Sequence, residues 1–201
     1  MSLPVSTTYV QMSAVSLHGR FLVPARPAYP MSDPLRENGP IVLVPAAWTV
    51  AGAAHAGVVS GRTLLIAHAV MAAVLFVFPV VSWNEMNEGV LRVWRTVLVV
   101  GLFITVSGAA GLYGVPGEEI LLGVSLYGWM LLPAAGLAYT ARESDAPHAS
   151  AFGAALSLVG AALYAVGVTV SVIGVPHAAL LAVAVVGFGQ TVGIADAVYR
   201  Y

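Results

Sequence analysis

The 201-residue chain contains no cysteine and no lysine, and only 8% of its residues are charged. Without cysteine there is no disulfide, no thiolate zinc or iron–sulfur ligation, no covalently attached c-type haem and no cysteine nucleophile. So little charge, against roughly 25% in an ordinary soluble domain, excludes a water-soluble fold. A formal net charge of -1 gives no electrostatic footprint for nucleic acid. Also missing are an HExxH zinc motif, a phosphate-cradling glycine loop, a dinucleotide fingerprint and any carboxylate pair of catalytic spacing in an apolar stretch. What remains is 59% hydrophobic and rich in Ala, Val and Gly, with Arg as its only fixed base. That usage reflects GC-rich coding and points to a prokaryotic plasma membrane.

Crossing about 30 Å of hydrocarbon takes roughly 20 mostly apolar residues. Six stretches meet this requirement, near Ile41–Val59, Thr63–Ser82, Thr96–Tyr113, Ile120–Ala141, Ala149–Ile173 and Ala178–Tyr199, and Asp196 is the one formal charge within them. The expected fold is therefore all-α, a multi-pass bundle of six transmembrane helices spanning residues 40–201. Residues 1–39 carry five prolines among polar and small residues, with Pro40 directly after them, and predict a flexible arm, with Met31 an alternative start. No secretory h-region is present in that arm.

The connections alternate in character. Ser60–Arg62, Gly114–Glu119 and Gly174–His177 are tight turns, whereas Trp83–Arg95 and Arg142–His148 are longer. Seven of the eight arginines fall with the longer connections and the termini, and Arg62 alone falls with the turns. Excess Arg in short loops marks the cytoplasmic side, so both termini are expected there. Trp83, Trp94, Tyr139, Tyr199 and Tyr201 at that boundary, and Tyr113 at the outer one, have the aromatic character of interfacial anchors. Gly-Val-Pro occurs at 114–116 and again at 174–176, which predicts that spans three–four and five–six repeat one hairpin.

Lipid removes the hydrophobic drive between helices, so close backbone packing must hold them together. Gly153, Gly160, Gly167 and Gly174, spaced by seven, place one small-residue stripe on the fifth span, and Gly189 and Gly193 form a small-xxx-small pair on the sixth. The stripe predicts tight packing within the bundle or a seam with partner membrane subunits or a second copy. Pro45, Pro79 and Pro133 predict kinks.

Ionisable groups inside the membrane are costly and mark candidate sites. His55 and His68 lie at similar depth on either side of the first turn, and His177 and Tyr113 lie toward the same outer side. Two facing imidazoles suit haem b, a metal ion, or a quinone or proton site, because a neutral ring offers a lone pair and titrates near neutral pH. These residues are the expected cofactor-binding group, with His55 and His68 as the metal ligands. The competing reading has each imidazole bonded to a backbone carbonyl. Gln190 and Asp196 on the sixth span outline a transport path, although an Asp196–Arg200 pair one helical turn apart is the simpler account of the aspartate. Depth separates Asp196 from the histidines, which disfavours a hydrolytic triad. The leading functional expectation is a membrane redox component or respiratory-assembly accessory subunit. A small-solute or ion transporter and a non-catalytic structural subunit are the alternatives.

Overall fold

The computed structural model describes residues 34–171 and 177–200. Among these the chain forms six α-helices and no strand: α1 Pro34–His55, α2 Gly61–Val81, α3 Gly89–Tyr113, α4 Glu118–Glu143, α5 His148–Ser171 and α6 Ala178–Arg200. The shortest has 21 residues and the longest 26, or about 32 to 39 Å at 1.5 Å per residue. Helices α2 to α6 are each long and apolar enough to cross a bilayer, and α1 contributes the shorter apolar run Gly39–His55. The protein is a multi-pass helical membrane bundle.

The first helix departs from the span expected at Ile41–Val59: it starts at Pro34 and stops at His55. Proline suits a first turn because its missing N–H would have no intrahelical partner there. The stop is set by Gly57, which adopts φ 72°. Its N–H bonds Ala54 O at 3.0 Å while the Val58 N–H bonds Ala53 O at 2.9 Å. The same pair of bonds closes α3, where Gly114 has φ 88° and Val115 and Gly114 donate to Ala110 and Gly111. A left-handed residue is needed at this position, and only glycine adopts it without strain. The proline-rich arm expected over 1–39 thus overlaps α1 at 34–39. Residues 1–33, the second Gly-Val-Pro, Gly174 and Tyr201 lie outside the described residues.

In space the helices neighbour one another in the order α1, α6, α5, α4, α3, α2, and α4 also touches α6. The contact of α5 with α6 is the most extensive, whereas α1 and α2, although consecutive in the chain, hardly touch. The glycine stripe explains the first fact. A methyl on Gly153 would lie 2.6 Å from Gly189 O, and one on Gly160 would lie 2.9 Å from the Val186 nitrogen, so the two backbones are in direct contact. Around this seam Met130, Ala161, Val183 and Val186 pack in one layer, and Leu137, Ala154 and Ile194 in another.

Candidate functional site

At mid-depth a hydrogen-bonded belt crosses four helices. Gln190 of α6 is 2% exposed. Its Oε1 accepts from Trp48 Nε1 of α1 at 3.0 Å, and its Nε2 donates to the α4 carbonyls of Trp129 at 2.9 Å and Met130 at 3.2 Å. The acceptor at Trp129 has a specific origin. In a regular helix that carbonyl would bond the N–H four residues on, which here is Pro133 and has none. Gln190 therefore supplies the donor that the kink removed. The belt continues from Trp129, whose Nε1 donates to Thr105 Oγ1 of α3 at 3.0 Å, and Thr105 in turn donates to Gly101 O at 2.9 Å.

The last step is one instance of a recurring unit. A glycine is followed four residues later by a threonine whose hydroxyl bonds back to the glycine carbonyl, and a tryptophan from the neighbouring helix lies over the glycine. Gly101 and Thr105 of α3 receive Trp129; Gly136 and Thr140 of α4 receive Trp94, whose Nε1 donates to Thr140 Oγ1 at 3.1 Å. Gly187 and Thr191 of α6 receive Trp48. Trp94, expected as an outward interfacial anchor, is instead turned into the α3–α4 contact, because its indole N–H finds an acceptor there and its ring a surface without a side chain. Tyr113 and Tyr199, at 80% and 79% exposed, do face outward.

The two span histidines are held in the same local way and have different neighbours. In each, Nδ1 lies 2.9 Å from the carbonyl four residues earlier, Ala51 O for His55 and Leu64 O for His68. A carbonyl only accepts, so Nδ1 carries the proton and a neutral ring presents its lone pair at Nε2. His55 Nε2 accepts from the Tyr164 hydroxyl of α5 at 2.8 Å, with the rings edge-to-face at 5.4 Å, and Tyr127 of α4 packs edge-on against Tyr164 at 5.6 Å. His68 Nε2 points to α3 and α4: it would sit 2.7 Å from a methyl on Gly108, which Ser125 Oγ also approaches. The structure does not bring His55 and His68 together, because α1 packs on α6 and α2 on α3.

His55 instead shares a pocket with His177. Together with Ala56, Ala179 and Leu180 they line this space of about 210 Å³ where α1 ends and α6 begins. A larger groove of about 420 Å³ runs beside it between the same helices, lined by Trp48, Gly52, Leu180, Gly187, Phe188 and others. Tyr113 lines neither, and Gln190 and Asp196 also lie outside both. Asp196 pairs with Arg200 Nε at 2.8 Å, as the spacing of four predicts. From the second turn of α3, Arg95 stacks 4.2 Å from the Trp83 ring and donates to Trp83 O and to Asn87, so this arginine organises the loop after α2 and leaves Arg92 as the exposed one.

No three His, Cys, Asp or Glu side chains among the described residues converge as a metal-binding group. A haem held between His55 and His68 does not fit this arrangement, since the first has its Nε2 on Tyr164 and the second faces Gly108 on another seam. Comparisons with protein-family models, with curated proteins and with solved structures found no match. Composition alone did not reveal Tyr164, Trp48, Trp129, Thr105 or Thr140, although the repeated Gly-xxx-Thr spacing was a readable sign of where indoles dock.

Proposed function

We propose that this protein is an accessory component of a membrane redox assembly in a prokaryotic plasma membrane, holding a small ligand at the outer corner of α1 and α6. The observation that carries the reading is the pocket shared by His55 and His177. It is lined by two imidazoles, one fixed and one available: His55 is bonded at both ring nitrogens, whereas the His177 side chain makes no hydrogen bond to another described residue. The remaining interior polar groups support a binding and assembly role over a transport path. Gln190, Thr105, Thr140 and Ser157 are all engaged with other helices or their own backbone, so these buried groups do not form a file of free polar groups among the described residues.

Among the described helices and loops, Arg92, Arg95, Arg142 and Arg200 lie at one end of the bundle and Arg62 at the other. Excess Arg favours the first end as cytoplasmic, which directs the His55–His177 pocket outward. Purification in mild detergent tests the proposal, with absorbance, metal content, solvent-extractable small molecules and co-purifying subunits measured on one sample. A bound species or redox partner that is lost in His55→Ala or His177→Ala supports it. A ligand-free preparation that runs alone refutes it.

A further inference from the structure

We propose that the α1–α6 corner binds an amphiphile with an uncharged, ring-sized polar head and a long apolar tail, the chemical class of an isoprenoid quinone or quinol. This inference rests on the ligand-site reading above and names its occupant. The geometry comes from two openings that share a wall. Leu180 lines both the groove and the histidine pocket, so the two follow one another along a single seam. Trp48, at the middle of the groove, stands seven residues before His55 in α1. That is about 10 Å deeper in the bilayer at 1.5 Å per residue. A ligand seated here would have its head at the helix ends and its tail at hydrocarbon depth.

The linings differ as such a ligand requires. In the groove the two hydroxyls are already spent, Thr49 donating to Pro45 O at 2.7 Å and Thr191 to Gly187 O at 2.7 Å. Trp48 has likewise given its N–H to Gln190. The groove therefore offers an occupant an aromatic and aliphatic wall and no free donor, which is the surface an isoprenoid or alkyl tail prefers. Among its described lining residues the pocket has two imidazoles and no Arg, Lys, Asp or Glu. A phosphate head group is best held by a fixed cation, and none is present among the described lining residues, so the first-turn N–H groups of Ala179 and Leu180 would have to carry its charge alone. A neutral carbonyl or phenolic hydroxyl needs only a partner that can donate or accept, and imidazole does both. His55 shows the chemistry directly, since its Nε2 already receives a phenolic O–H from Tyr164. Held at both nitrogens, His55 forms the fixed wall, and His177 opposite it is the group available to the head.

The test uses the full chain in detergent with three probes: a decyl-tailed benzoquinone, the same ring without the tail, and phosphatidylglycerol. Tryptophan quenching reports occupancy, because Trp48 forms part of the groove. Leu180→Phe fills the junction without adding a tryptophan and His177→Ala removes the free imidazole; circular dichroism and elution volume establish that each variant is folded. The tailed quinone is expected to quench saturably, with binding weakened about tenfold by either substitution, and the tailless ring to bind more weakly than the tailed one and to lose its remaining binding in His177→Ala. Phosphatidylglycerol is expected not to compete. Equal quenching in wild type and both variants, or displacement by phosphatidylglycerol, overturns the proposal. Failure of the occupant is separable from failure of the site: stoichiometric zinc binding lost in His55→Ala and His177→Ala, with no quinone binding, would leave a ligand site with a different occupant. No effect of either histidine on any probe or on zinc would remove both.

Discussion

Replacing Gln190 by leucine keeps the volume in the bundle centre and deletes three hydrogen bonds, to Trp48, Trp129 and Met130. Hydrogen bonds between transmembrane helices average about 0.6 kcal/mol, so their sum gives roughly 2 kcal/mol. The Trp129 carbonyl raises that figure, because Pro133 has already removed its backbone donor and the Gln190 amide that replaces it is buried. An orphaned buried polar group costs about 1–3 kcal/mol, which brings the expected loss for Gln190→Leu to about 3 kcal/mol. Unfolding by added dodecyl sulfate, followed by helical ellipticity and tryptophan emission, measures it. The cause is isolated by Pro133→Ala, which returns an N–H four residues after Trp129. In that background the cost of Gln190→Leu should fall by about 1 kcal/mol, since the carbonyl then has an intrahelical partner. A loss below about 0.5 kcal/mol, or an identical loss in both backgrounds, would refute the view that Gln190 repairs the proline kink.

Gly160→Ala places a methyl 2.9 Å from the Val186 nitrogen and 3.0 Å from Ala182 O, backbone atoms that cannot turn aside. It should destabilise by about 1–3 kcal/mol in the same assay, whereas Gly123→Ala, with nothing within 4 Å of the new methyl, should be neutral or mildly stabilising. Ser150→Ala should raise stability by up to about 1 kcal/mol, because its hydroxyl is buried and has no hydrogen-bond partner; a clear loss would show that the hydroxyl is satisfied in the membrane. Asp196→Asn should change stability by less than about 1 kcal/mol, as expected of a partly exposed pair one turn apart. Proteoliposome flux that depended on Asp196 would contradict the packing role given to the interior polar groups.

Much of the architecture was legible before any fold was known. Run lengths and the near absence of charge dictated membrane-crossing helices, because each lipid-exposed backbone must satisfy its own hydrogen bonds. The spacing of Gly153, Gly160 and Gly167 foretold a seam of close backbone approach, and Asp196 with Arg200 foretold their ion pair. Where α1 ends was misread because Val58 and Val59 look like continuing span, while the left-handed Gly57 between them and His55 decides the stop.

Helix type and depth are local properties, set by composition and by a fixed rise per residue, and the chain alone determined them. It also determined that both span histidines would have a backbone carbonyl within reach, four residues back. Neighbourhood was decided only by the tertiary structure. Equal depth suggested that His55 would meet His68 across the first turn, but side-chain azimuth and helix order depend on which small faces pack, and α1 found its bed on α6. That choice gave His55 to Tyr164 and to a pocket it shares with His177, gave His68 to Gly108 and Ser125, and turned Gln190 from a candidate path residue into the group that completes the α4 kink. Packing in lipid is won by surface fit between helices, a property of pairs of faces that no single stretch of sequence carries.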